Sequence, residues 1–212
     1  YAELQPYSGC HNASLKIKQQ MGWTQEQKTA VWTEIVLEKI CNQAKTLVEN
    51  GHESEAAMLT GYMRELVPGD ETNREGHAAK VYFNALFGKN FSRGQENPIN
   101  AALNYGYGLI LSAFNREVTL CGYLTHIGLC HDNMFNPYNL SCDMMEPFRA
   151  IVDRKVIDIA PVEFGKKEKQ ELLGILHSPV RIAGTEQTVM NAVKIYSRSV
   201  FEAIELSDAD RL

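Results

Sequence analysis

The sequence is poor in the features that most quickly betray a chemistry. Its five cysteines are an odd number with no Cys-x-x-Cys pair, which argues against a disulfide framework and a cysteine-rich zinc site. The apolar surroundings of Cys41 and Cys121 predict buried thiols in a reducing compartment. There is no His-Glu-x-x-His, no Gly-x-x-x-x-Gly-Lys loop and no Gly-x-Ser-x-Gly turn. Zinc-peptidase, P-loop and serine-hydrolase chemistry therefore all lose their carriers. The chain starts YAELQPYSGC, with neither an initiator Met nor a basic and then apolar leader; it reads as a piece of a longer protein, not as a signal peptide. The longest stretch without charge, Asn97 to Asn115, has the length of a membrane span. Pro98, three asparagines before Gly106 and two tyrosines make it too polar to face lipid, so a helix buried in protein is expected and no membrane partner.

What is present is ordinary for a packed domain. Over 212 residues, 44% are hydrophobic and 22% charged, with a formal net charge of −5; a disordered chain would be less apolar and more strongly charged. No segment alternates apolar and polar residues as a half-buried strand does, whereas several repeat every three or four residues. Trp32, Val36, Ile40, Ala44 and Leu47 form one such stripe, with Thr24 and Gln27 at capping-box spacing before it and Gly51 after it. Val189, Val193, Tyr196, Val200 and Ile204 form another. Further helices are predicted near 54–65, 73–87, 98–125, 142–157 and 164–177. Turn residues cluster at 67–70, 88–98, 133–141 and 178–185. The reading is an all-α fold in a single multi-helix domain over 1–212, with no internal repeat.

Charge is uneven. Residues 49–71 carry six acids against Arg64, and residues 74–93 carry four bases against Glu75. The acidic total disfavours non-specific phosphate binding by the whole molecule but leaves room for a local basic groove. Glu49 and His52 have the spacing of a di-iron ligand pair, yet only one copy exists and Gly51 ends the helix inside it. Two other segments concentrate polar groups: Asn73 to Phe83, and His131 to Arg149. Asp143 and Glu146 are one helical turn apart, and with His131 and Glu75 they compose a mixed oxygen and nitrogen donor set suited to Mg²⁺ or Mn²⁺. The same spacings also suit helix capping, by Thr72 with Glu75 and by Asp143 with Glu146 ahead of Pro147. On spacing alone both readings stay open, with capping the more economical.

A resemblance adds to this. The stretches Lys39-Ile40-x-Asn42-Gln43, Glu75-Gly76-x-Ala78-Ala79-x-x-Tyr82-Phe83, Asn100-Ala101-x-Leu103-Asn104-Tyr105-Gly106-Tyr107, Gly128-x-x-His131 and Asp143-x-Met145-Glu146-Pro147-Phe148-Arg149 occur in this order. The chain thereby resembles the helical domain of the CRISPR-associated integrase, the catalytic subunit that inserts new spacers, most closely its type II form. The family's β-rich N-terminal domain has no counterpart here. The resemblance implies that Glu75, His131 and Glu146 are the catalytic residues and ligate Mg²⁺ or Mn²⁺, with Asp143 as an auxiliary acid or a helix cap. It implies DNA-contact candidates in Arg74, Tyr82, Tyr105, Tyr107 and Arg149, at least one tyrosine being core and either arginine pairing with a phosphate or a nearby acid. It further implies a metal-dependent DNA endonuclease and integrase of antiviral defence, in which a DNA 3′-hydroxyl attacks a repeat phosphodiester. The expected partners are double-stranded DNA (spacer precursor and CRISPR repeat), a second copy in a homodimer and a small ferredoxin-like companion subunit, in the cytoplasm. The competing expectation is a helical interaction module without catalysis.

Overall fold

The computed structural model describes residues 12–209. Cys10 and His11 lie outside them. The described residues hold nine α-helices, three short 3₁₀ turns and one small hairpin, and the longest helix is the organiser. This is α2, Gln25–Glu49, opened by the expected capping box: Thr24 accepts from Gln27 N–H while the Gln27 side chain accepts from Thr24 N–H. Its apolar stripe is buried at Trp32, Val36, Ile40 and Leu47 and half-buried at Ala44. α1 (Ala13–Met21) precedes it; α3 (Glu53–Arg64) and α4 (Arg74–Phe87) pack along it. Gly51 lies just past the end of α2 with φ +77° and breaks Glu49 from His52, so the di-iron spacing falls across a helix terminus.

The uncharged run becomes α5, Pro98–Leu120, capped by Asn97, which accepts from Asn100 N–H, with Pro98 in the first turn where its missing N–H is no loss. α5 is covered by α7 (Arg149–Ile159), α8 (Lys166–Leu173) and α9 (Val189–Leu206). No helix among the described residues is long and apolar enough to cross a membrane. The α5–α7 crossing is close: a Cβ added at Gly106 would run into Val152 Cγ1.

Three expectations change. The helix expected over 142–157 is broken into α6 (Asn139–Met144), a short 3₁₀ turn over Glu146–Phe148 and α7. Pro147 cannot donate the N–H that an uninterrupted helix needs there. Residues 178–185, expected as a loop, hold most of an antiparallel hairpin of β1 (Pro179–Ile182) and β2 (Thr185–Thr188). Its two-residue turn, Ala183-Gly184, has positive φ at both positions, as tight hairpin turns require. Four-residue strands are too short to show periodicity. Cys41, on α2, and Cys121, just past the end of α5, are half-buried, not buried. The all-α class stands.

The Gly106 contact yields a stability prediction. Gly106→Ala should destabilise the domain by about 1–3 kcal/mol through overpacking. Val152→Ala on the same background should recover part of that loss in urea unfolding.

Candidate metal and phosphate site

The first turn of α4 is prepared by two side chains upstream. Asp70 accepts from the backbone N–H of Arg74 (2.7 Å) and of Glu75 (2.9 Å), and Asn73, in the left-handed region at φ +54°, accepts from Gly76 N–H. Asn73 therefore takes the cap that spacing assigned to Thr72, and the first-turn N–H groups are satisfied without the Glu75 side chain. That carboxylate is left to reach across to α2, where its Oε1 meets the ammonium of Lys39.

Lys39 contacts a second carboxylate, Oε2 of Glu146. Glu146 is 4% exposed and its other oxygen, Oε1, accepts from Arg149 Nε at 2.9 Å and lies 2.8 Å from Arg149 Nη2. Burial works to raise the Glu146 pKa, but Lys39 and then Arg149 outweigh it and hold it at about 2. Lys39 shows the converse: burial would lower its pKa, and Glu146 and Glu75 lift it above the ordinary lysine value instead. Lys39 and Glu146 are therefore both charged at neutral pH.

Asp143 does not cap a helix. It lies inside α6, fully buried, and its carboxylate collects the backbone N–H groups of Leu129 (2.6 Å), Cys130 (3.0 Å) and His131 (3.2 Å), together with His131 Nδ1. It thus anchors the loop ahead of α6 and turns the imidazole. A carboxylate only accepts, so Nδ1 carries the proton and Nε2 keeps the lone pair of the neutral ring, the arrangement common behind metal-bound histidines. The hydrogen bond to Asp143 raises the His131 pKa against the opposing effect of burial, with Glu146 and Glu75 adding to it. The edge of the ring meets Trp32 at 5.9 Å between centroids. A cleft of about 410 Å³ opens beside it, lined among others by Lys28, Trp32, His126 and Gly128.

Glu75 and Glu146 are thus brought together at Lys39, while His131 is tied to Asp143, three residues before Glu146. Among the described residues no three His, Cys, Asp or Glu side chains are already gathered closely enough to hold a metal ion. The donor chemistry nonetheless fits a hard divalent cation. Two carboxylates bracket a position that a cation occupies, and an imidazole nearby is oriented through its far nitrogen.

The other sequence candidates divide. Tyr82 is wholly buried and its hydroxyl donates to Asp153 at 3.0 Å; Tyr107, also buried, donates to the same carboxylate. Their hydroxyls serve the core, the role that the sequence reading keeps open for at least one of the three tyrosines. Arg93 and Arg149 face the Tyr107 ring at 5.3 and 4.7 Å. Tyr105 is half-buried against Phe164. Arg74 pairs with Glu65 at 2.9 Å. Reasoning from sequence overlooked Asp70, Asp153 and the role of Lys39. Only Lys39 carried a signal, for it falls on the same helical face as Ile35, Val36, Ile40 and Gln43, all buried.

The fold and the site together define a helical domain whose polar centre is built of paired carboxylates, cations and one fixed imidazole. Residues 1–168 match the family described as CRISPR associated protein Cas1, and the chain belongs to that family. It is 37% identical over 193 residues to the CRISPR-associated endonuclease Cas1 of Neisseria meningitidis serogroup C, across 89% of this chain and 64% of that protein. It is 27% identical over 183 residues to a CRISPR-associated endonuclease Cas1 of Francisella tularensis subsp. novicida, across 76% of this chain and 58% of that one. The chain therefore spans less than two thirds of either relative. Its fold is shared by a partial Cas6-RT-Cas1–Cas2 complex (TM-score 0.80, 16% identity, 98% of this chain and 75% of that one). A casposase bound to integration product shares it too (TM-score 0.72, 18% identity, 91% and 69%).

Asp153 generates a pH prediction. Burial raises its pKa to about 6, against the hydrogen bonds from Tyr107 and Tyr82. A folded-state value above the unfolded one means that the folded chain binds the extra proton, so stability from this group declines as pH rises from about 4 to about 6. Asp153→Asn should remove that decline. Its stability relative to the unsubstituted chain should improve by roughly 3 kcal/mol between pH 4 and pH 7, read by urea unfolding at each pH.

Proposed function

We propose that this chain is the catalytic helical domain of a metal-dependent DNA endonuclease and integrase that inserts new spacers into a CRISPR array. The observation that carries the reading is the meeting of Glu75 and Glu146 around one cationic position, in a chain whose relatives are named endonucleases. The casposase of the same fold, bound to integration product, supports transesterification as the reaction class.

Glu75, Glu146 and the Nε2 of His131 would hold Mg²⁺ or Mn²⁺. When bound, such an ion supplies Lewis acidity at the phosphoryl oxygen and makes an attacking hydroxyl more acidic. The protein's part is electrostatic and positional. Asp143 keeps the proton on Nδ1, so that the imidazole presents a lone pair and not a second N–H. Arg149 and Lys39 set positive charge where the phosphodiester gains negative charge during displacement. Among the described residues no serine or cysteine is paired with a base at this centre, which accords with direct attack by a DNA 3′-hydroxyl, or by water when the outcome is cleavage. Phosphate contacts position DNA without reading bases, so choice of sequence would rest on partners: a second copy of the chain and a small ferredoxin-like companion subunit. The Cas1–Cas2 complexes that share the fold support that companion. The cytoplasm is the matching compartment.

The test is strand transfer and cleavage of duplex DNA with Mn²⁺ and the companion subunit present. Glu75→Ala, His131→Ala and Glu146→Gln should each lower the rate at least a hundredfold while circular dichroism stays that of the unsubstituted protein. A triple variant that keeps full activity would end this reading and leave a non-catalytic helical module.

A further inference from the structure

The proposed ligands leave one motif of the sequence without a task, the stretch Lys39-Ile40-x-Asn42-Gln43 of α2. Asn42 lies one turn after Lys39 and is half-buried. Its amide nitrogen donates to the main-chain carbonyl of Pro147 at 3.2 Å, a partner 105 residues away in the chain. Its amide oxygen accepts from the Lys45 ammonium at 3.4 Å, and an acceptor on one side with a donor on the other fixes which end of the amide meets the turn. α2 therefore holds the 3₁₀ turn over Glu146–Phe148 at two points. Lys39 takes the Glu146 carboxylate and Asn42 takes the Pro147 main chain.

The two holds differ in kind. Lys39 sits on Oε2 of Glu146, an oxygen that a divalent ion would also take, and two cations at one oxygen repel. The Asn42 bond is neutral, and its acceptor is a carbonyl outside the donor set. Pro147 makes that carbonyl a short lever on Glu146. Its ring locks φ at about −65°, so once the carbonyl is held, the peptide plane that joins Glu146 to Pro147 has little freedom to turn. We infer that Asn42 is a positioning residue for the proposed metal centre: by holding the Pro147 carbonyl it keeps Glu146 at the distance from Glu75 that one shared ion requires. This rests on Glu75 and Glu146 being the ligands proposed above. Hydrogen-bond partners that orient metal ligands change metal affinity roughly 10–100-fold when removed. Asn42 also borders a cavity of about 670 Å³, together with Phe148 and Tyr196. Shortening its side chain therefore removes the bond without taking support from a close-packed core.

The experiment is a Mn²⁺ titration of the 212-residue chain, followed by the paramagnetic resonance of free Mn²⁺. Asn42→Ala should bind Mn²⁺ about tenfold or more weakly than the unsubstituted chain, and Asn42→Gln, which keeps the amide donor, should stay within about threefold. Gln27→Ala is the control for a lost hydrogen bond alone. Gln27 is also on α2 and donates to a main-chain carbonyl, that of Ile204 at 2.9 Å, about 18 Å along the helix from Lys39. It should lower the melting temperature and leave Mn²⁺ affinity unchanged. In strand transfer, Asn42→Ala should need about tenfold more Mn²⁺ for half-maximal rate, regain most of the rate at saturating Mn²⁺ and keep the KM for DNA. Asn42→Ala with the Mn²⁺ affinity of the unsubstituted chain would overturn the inference. Equal weakening in Gln27→Ala would overturn it too, since Asn42 would then act only through stability. Should Asn42→Ala be unfolded at the assay temperature, Asn42→Leu, of similar volume but without a donor, is held to the same two outcomes. Glu75→Gln combined with Glu146→Gln separates the layers of the argument. If that double variant binds Mn²⁺ as the unsubstituted chain does, the ligand assignment has failed and the inference falls with it. If binding is lost there while Asn42→Ala binds normally, the ligands stand and only the role of Asn42 is refuted.

Discussion

An ammonium group turned toward the packed face of a helix cannot be left without counter-charge, and the centre of this molecule is organised around that constraint. Lys39 lies on the side of α2 that buries Ile35, Val36 and Ile40. Leaving it unpaired there would cost several kcal/mol, so the fold must deliver acids to it. It does so from two places far apart in the chain, the first turn of α4 and the turn that follows α6. Each delivery has its own local cause. Asp70 and Asn73 satisfy the amides at the start of α4 and so release Glu75 from capping. Pro147 ends the helical run after α6, and Glu146 occupies the first position of the short 3₁₀ turn that results.

A second buried acid, Asp143, does for the loop of residues 129–131 what Lys39 does for the carboxylates. Three amides and one ring nitrogen converge on it, so the orientation of His131 is set by main chain as well as by side chain. A third, Asp153, ties Tyr82 of α4 and Tyr107 of α5 to α7, and Arg149 links that cluster to Glu146 by lying over the Tyr107 ring. The polar interior therefore holds two clusters, one that joins Asp143 to the loop before α6 and one that runs from Glu75 and Lys39 through Glu146 and Arg149 to the α5–α7 crossing. Such networks are worth most when every member is satisfied. Loss of a single acid should be felt at more than one of these elements.

The sequence made some of this legible and hid the rest for identifiable reasons. α2 and α9 could be read because their apolar stripes run over many turns, and Thr24 with Gln27 announced the start of α2. The uncharged run at 97–115 was recognisable as a buried helix because Pro98 and its asparagines made lipid contact implausible. The hairpin at 179–188 was invisible because four-residue strands show too little alternation to register. Glu75, His131, Asp143 and Glu146 could be singled out as polar residues at suggestive spacing. Spacing could not separate a capping carboxylate from one free to bind, since that depends on which neighbour satisfies the amides. At α4 the neighbours were Asp70 and Asn73, not Thr72. Tyr82 shared a motif with Glu75 and Tyr107 one with Tyr105, and both lie in the core, because Asp153, distant in sequence, claims their hydroxyls.

Membership of the Cas1 family and a fold shared with Cas1–Cas2 complexes and a casposase give this network its context. The claim on which the account depends is that one divalent ion is shared by Glu75, Glu146 and His131. Crystals of the chain with duplex DNA, grown in Mn²⁺, test it through anomalous scattering. The account predicts a single strong peak with oxygen of both carboxylates and Nε2 of His131 at roughly 2–2.5 Å. A peak held by other residues, or density for DNA at the site with no ion between the carboxylates, would contradict it.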